Sequence, residues 1–144
     1  MRDVATRKVD VLGVLEGQGH YWLSTADESR PHAIGVSAWW NEDQLVVTTL
    51  GTSRTARNMT PGAQVVLVHG DPVDAVVIHA KVAGRTDAKD AGEIARGFKE
   101  VMGWEPGAES GWSFFRLRPT RIQAYRGYDE IEGREVMKAG RWLG

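Results

Sequence analysis

The chain contains no cysteine, which excludes disulfide staples, thiolate zinc sites, iron–sulfur clusters and a thiol nucleophile together. It is compatible with a reducing compartment. Long apolar runs are also missing. The longest, Val65-Val66-Leu67-Val68 and Ala75-Val76-Val77-Ile78, fall far short of the ~20 residues that span a bilayer, and the polar start Met1-Arg2-Asp3 does not read as a signal peptide. Nor is there an excess of one charge: 18 Lys and Arg stand against 19 Asp and Glu, so the basic footprint that phosphate backbones attract is absent. These absences lead us to expect a cytoplasmic protein without a membrane or nucleic-acid partner. Repeats, low-complexity tracts and linkers are lacking across the 144 residues. A chain of this length buries about 68–70% of its unfolded surface, so one domain, 1–144, is expected to fold without a metal.

What the chain has in quantity is tryptophan. There are six (Trp22, Trp39, Trp40, Trp104, Trp112 and Trp142), as many as Tyr and Phe combined. A buried indole needs a partner for its N–H, so some are expected to face a ligand or a second subunit.

Val4, Val11, Leu12 and Leu15 predict an amphipathic helix within 1–16, ended by Gly17-Gln18-Gly19. From His20 the texture is that of strands: 20–25, 33–40 and 45–50, joined by polar turns. A short helix over 53–59 stops at Thr60-Pro61-Gly62, and strands follow over 64–69 and 75–83. Asp87 reads as the N-cap of a helix carrying Ala91, Ile94, Ala95, Phe98 and Met102 on one face and ending at Gly103. Strand texture returns over 112–125, with Pro119 marking an edge or a bulge, and 128–144 reads as a charged, irregular tail. The fold class expected is mainly β: a six-stranded antiparallel barrel with inserted helices.

Two places could carry chemistry. Along 33–40, Ile34, Val36, Ala38 and Trp40 form one face and Ala33, Gly35 and Ser37 the other. The second face is nearly flat and would let a planar group approach the backbone; a helix or a partner subunit packed there fits the same pattern. The other place is Thr48-Thr49-Leu50-Gly51-Thr52-Ser53-Arg54-Thr55-Ala56-Arg57. Hydroxyls, two arginines and helix N–H groups suit a phosphate, and a surface helix capped by Ser53 with solvated arginines suits the residues as well.

Other templates fail. No G-x-x-x-x-G-K-[ST] loop is present, Gly17-Gln18-Gly19 precedes a strand, and Gly51-Thr52-Ser53-Arg54-Thr55 lacks the second glycine of a nucleophile elbow. His20, His32, His69 and His79 stand singly in strand context, with no i, i+4 pair, so no metal site is expected.

The element order, together with Arg30-Pro31-His32-Ala33, Leu45-Val46-Val47-Thr48-Thr49 and Thr52-Ser53-Arg54-Thr55-Ala56-Arg57-Asn58, resembles the split-β-barrel flavin-binding family typified by pyridoxamine 5′-phosphate oxidase, which includes flavin- and F420-dependent oxidoreductases. The resemblance covers roughly 8–127 and includes the late strand from Trp112 to Gly127. It implies a homodimer with two sites at the subunit interface, FMN or alternatively coenzyme F420 as cofactor, and hydride transfer to or from a small organic substrate. Carried over by position, Gly35, Val36 and Ser37 would run beside the ring and ribityl chain, and Thr49, Ser53 and Arg54 would hold the phosphate. Thr55 stands where the family has a Lys, with Arg57 one turn on, and Tyr125 falls where the oxidases place a cofactor-contacting Trp from the partner subunit.

Departures from the family narrow the reading. Ala33, Ile34 and Ala38 replace an Arg and a Lys of the true oxidases, and Ile131 lies near their substrate-phosphate Arg, with Arg134 close by. Oxidation of pyridoxamine phosphate is therefore not expected. No catalytic acid or base is evident; His32 is nearest by family position, with a structural role as the plainer reading. Non-catalytic cofactor binding and a dimeric scaffold are the alternatives. F420 has a polyglutamyl tail, and 111–144 carries six Arg and one Lys against four acids, a surplus that a solvated tail shares. Among the indoles, Trp22 and Trp40 are expected in sheet packing, Trp39 on the small-residue face, and Trp142 over the partner's cofactor mouth.

Overall fold

Alternation of apolar and polar residues gives strands, and the computed structural model assembles them into a barrel; it describes residues 1–17 and 19–144, so Gln18 of the Gly17-Gln18-Gly19 stretch lies outside it. After helix α1 (Val4–Glu16) come β1 (Gly19–Asp27), β2 (Arg30–Asn41), β3 (Gln44–Leu50), helix α2 (Arg54–Asn58), β4 (Gln64–Gly70) and β5 (Asp74–Asp87). Helix α3 (Glu93–Met102), β6 (Trp112–Arg126), β7 (Glu135–Lys138) and β8 (Arg141–Trp142) complete the chain. Sheet order is β3-β2-β1-β4-β5-β6, and β3 also pairs with β6, closing six antiparallel strands into a barrel with β7 and β8 appended.

The inward residues of each strand form the main core. Leu23, Leu67, Ile78 and Phe115 meet there, with Val11 and Leu15 of α1 at one end and Ala56 and Met59 of α2 also in the cluster. A second, smaller core lies outside the barrel wall. Phe98 of α3 packs on Val46 and Phe114, flanked by Trp39 and Trp112, and Gly97 lets the helix come so close that a Cβ there would stand 2.2 Å from the Trp39 ring. Burial of this kind stabilises by roughly 25 cal/mol per Å² of apolar surface.

Pro119 does mark a bulge. The β5–β6 register shifts between His79 and Ala80, opposite Pro119, and again between Val82 and Gly84; each extra residue bends the pair and reverses side-chain parity.

Three expectations are corrected. The tail is not irregular: Glu135–Lys138 pairs with β6 and then with Arg141–Trp142, because Val136 and Met137 have barrel surface to cover. Trp142 packs on that same core with the Lys8 ammonium 5.6 Å from its ring, so it belongs to its own chain. Asp87 stands at the N-cap of a single 3-10 turn, Ala88–Asp90, without a side-chain cap bond, and not of α3, which starts after Gly92; its carboxylate accepts instead from the Ser113 hydroxyl at 3.2 Å. Among the described residues no helix is long and apolar enough to cross a membrane.

Candidate functional site

β2 and β3 are hydrogen-bonded over only Trp39↔Val46, Trp40↔Leu45 and Asn41↔Gln44. Elsewhere β2 pairs with β1 alone, and β3 continues on β6. The barrel is split between them, and α2 lies against β1, β2 and β3 at this opening. The helix is pinned from below: Ala56 and Met59 are in the core, and Asn58 donates to the Thr25 hydroxyl at 3.1 Å.

The turn into α2 gathers polar groups. Thr49 and Ser53 share a hydroxyl–hydroxyl bond of 3.1 Å, and Ser53 accepts from the Ala56 amide at 3.0 Å as the helix cap. Arg57 is exposed and donates to the Thr52 carbonyl at 2.7 Å; Arg54 is half-buried, and Thr55 is buried. The Ser53 cap and the exposed Arg57 are as the capped surface helix of the sequence reading has them.

Sequence reading missed a third arginine. The bulge at Ala83 reverses the parity of β5, so Arg85 shares a face with Phe115 and its guanidinium lies 5.2 Å from that ring. Its Nε donates to the Ser113 hydroxyl at 3.3 Å and its Nη2 approaches the Gly51 carbonyl at 3.4 Å. A Cβ on Gly51 would stand 2.5 Å from Nη2, so the glycine leaves the room the arginine occupies. Ser113, buried, passes the bond to Asp87. Two clefts meet at Arg85: one of 390 Å³ that also includes Gly51, Thr52 and Ser113, and one of 240 Å³ that includes Arg57. Among the described residues no carboxylate lies within 4.0 Å of the charged nitrogens of Arg54, Arg57 or Arg85.

The small-residue face is open. Gly35 is exposed, and a Cβ built on it would meet nothing within 4 Å. Strand registers line up Gly35, Trp22, Val68, Val77 and Gln123 in one row across the outer face. Trp22 is 61% exposed there, which corrects its expected place in sheet packing. A shallow cavity of 410 Å³ lies over His20, Trp22, Gly35, Ser37 and Val68, and Ser37 bonds His20 Nδ1 at 3.1 Å. Val36 packs its side chain toward the barrel core, so it offers this face backbone. Trp40 joins the core as expected, while Trp39 is covered by α3.

Tyr125 is not brought to the other candidates within the chain. It pairs with Ala75 near one end of β6, whereas Thr49 pairs with Ser113 near the other. His32 is half-buried. Inside the barrel, burial pushes the Tyr21 hydroxyl up to about 12, which keeps it neutral, and it has no hydrogen-bond partner among the described residues.

No family model and no curated protein matches the chain. Solved structures do. An F420 reductase superposes with TM-score 0.62 at 18% identity, over 76% of this chain and 93% of the reductase. A candidate pyridoxamine 5′-phosphate oxidase from Listeria innocua gives TM-score 0.63 at 17% identity over 81% and 96% of the two chains. HutZ, the heme storage protein of Vibrio cholerae, gives 0.60 at 14% identity over 94% and 99%. At these identities the likeness shows the fold: the chain has the split-barrel architecture of these cofactor-named proteins.

Proposed function

We propose that the protein binds a phosphorylated flavin-type cofactor, FMN or alternatively coenzyme F420, and acts as an oxidoreductase on a small organic substrate. The observation that carries this reading is the turn from β3 into α2, where Arg54 follows the bonded Thr49–Ser53 hydroxyl pair in the chain, Arg57 and Arg85 line one cleft, and no described carboxylate lies within 4.0 Å of the charged nitrogens of the three arginines. Arginines without an ion pair are available to a phosphate for charge-assisted bonds. The donor set and the open surface at Gly35 both fit such a group.

When bound, the cofactor's ring system supplies hydride transfer. The chain's own residues hold and orient it. The arginines and hydroxyls fix the phosphate, Gly35 lets a planar ring lie on backbone, and Trp22 covers it from water. Ser37 and His20, already bonded to each other, present a polar rim. Tyr125, on the same outer face but strands away from Gly35 and at the end of β6 far from Ser113, would meet the cofactor of a second copy, so the working unit in this reading is a homodimer with the site shared between subunits.

Heme storage is the second reading, favoured by the overlap along nearly the whole length of the Vibrio protein and by His69, whose Nδ1 lies 3.0 Å from the His20 carbonyl at the same end of the sheet. Reconstitution separates the two: the purified protein is incubated with FMN, F420 or hemin, passed through a desalting column, and its absorption spectrum recorded. Retained flavin or deazaflavin bands support the proposal, and a hydride donor that bleaches them supports turnover rather than storage. Retention of hemin alone supports the second reading and overturns the first.

A further inference from the structure

The arginines at the split differ in how they are held. Arg54 and Arg57 belong to a five-residue helix. Arg85 comes from a strand and, although exposed, its guanidinium is contacted on three sides: by the Phe115 ring at 5.2 Å, by the Ser113 hydroxyl at 3.3 Å, and by the Gly51 carbonyl at 3.4 Å. The described hydrogen bonds use Nε and Nη2 and not Nη1, and Arg85 lines both clefts, the larger together with Lys89, Asp87 and Asp90 and the smaller together with Arg57. Ser113 is oriented for this task because its own hydroxyl proton goes to Asp87 and its lone pair faces Arg85. A planar guanidinium held this way is pre-organised, so it loses little entropy on taking an anion.

We infer that Arg85 is a specificity-determining residue that selects the phosphorylated form of the cofactor over the form lacking phosphate. The inference rests on the function proposed above and assigns Arg85 a role that neither its motif nor its strand position announces. Arg85 supplies the pre-oriented cation for the phosphate, while Ser113 and Asp87 position it.

The test is isothermal titration of the full chain and of the Arg85→Gln and Arg85→Lys variants with two ligand pairs: FMN against riboflavin, and F420 against its phosphate-free deazaflavin core. Thermal melting is recorded alongside. For the pair that the wild type binds, Arg85→Gln weakens the phosphorylated ligand by about ten- to a hundredfold, as expected for losing a charge-assisted bond. The phosphate-free ligand is unaffected, and Arg85→Lys restores part of the loss. Equal weakening of both ligands of a pair, or no weakening of the phosphorylated one, overturns the role of Arg85 and leaves the proposed function standing. Failure of the wild type to bind either phosphorylated ligand overturns the proposed function and this inference with it.

Discussion

Trp22 stands directly across from Gly35 on the outer face of β1 and β2, an indole 61% exposed beside a residue with no side chain. Val68 and Val77 extend the row. An exposed indole on a flat apolar row marks a surface that something else covers. If a second copy and a cofactor cover it, a charge there is intolerable. Sedimentation velocity is expected to show a dimer for the wild type and a monomer for Trp22→Glu, with melting temperature changed little because the side chain already faces solvent. A monomeric wild type would contradict the shared site.

Trp22 is also the indole nearest the proposed ring position. Its fluorescence should be quenched when the cofactor binds, and Trp22→Phe should remove the larger part of the quench while the other five indoles remain. Undiminished quenching in that variant would place the ring elsewhere.

Replacing Arg54 with Ala removes a cation at the entry to α2. Cofactor affinity is expected to fall about tenfold or more, measured by the same titration, and an unchanged affinity would remove Arg54 from the site.

Gly97→Ala tests the second core. In an ordinary helix this change stabilises by about 0.8–1 kcal/mol, but here the new methyl meets the rigid Trp39 ring at 2.2 Å. The net effect expected in a denaturant melt is a loss of about 1–3 kcal/mol from overpacking. A gain would mean that α3 does not press on β2 as described.

The N-terminal clasp governs acid stability. Buried Glu130 accepts from the Arg2 side chain and from the Arg2 and Arg126 amides. The Arg2 hydrogen bond leads in drawing its pKa down from 4.5 to about 2. A depressed carboxyl stabilises the fold fully above its unfolded pKa and loses that contribution as pH falls through the folded one. On the order of 3 kcal/mol is therefore expected to vanish between about pH 4.5 and 2. Glu130→Gln should be less stable at neutral pH and should flatten the acid limb of the profile; an unchanged limb would refute the role.

Much of the fold is legible in the sequence because alternation and turn residues are strong where one face of a strand is buried. Ser53 declares its helix cap, Gly103 its helix end and Pro119 its bulge. The misses have physical causes. Tyr21-Trp22-Leu23 is apolar throughout, so parity there is fixed by register with β2 and β4 rather than by composition. The tail has only Val136 and Met137 to bury, too little to signal a strand until β6 offers an edge. Arg85 is hidden by the bulge at Ala83, since strict alternation from Val82 would turn it to the outer face. Of the residues proposed to hold a phosphate, Thr49, Ser53, Arg54 and Arg57 lie close together in the sequence, while Arg85 and Ser113 come near them only through pairing of β5, β6 and β3.

A crystal structure of the protein grown with FMN or F420 tests the central claim most directly. The account predicts phosphate density within hydrogen-bond distance of the Ser53 hydroxyl and of the Arg54 and Arg85 guanidinium groups, with the ring beside Gly35 and Tyr125 of a second copy against it. Cofactor density elsewhere on the barrel, or the phosphate bound without these residues, would contradict it.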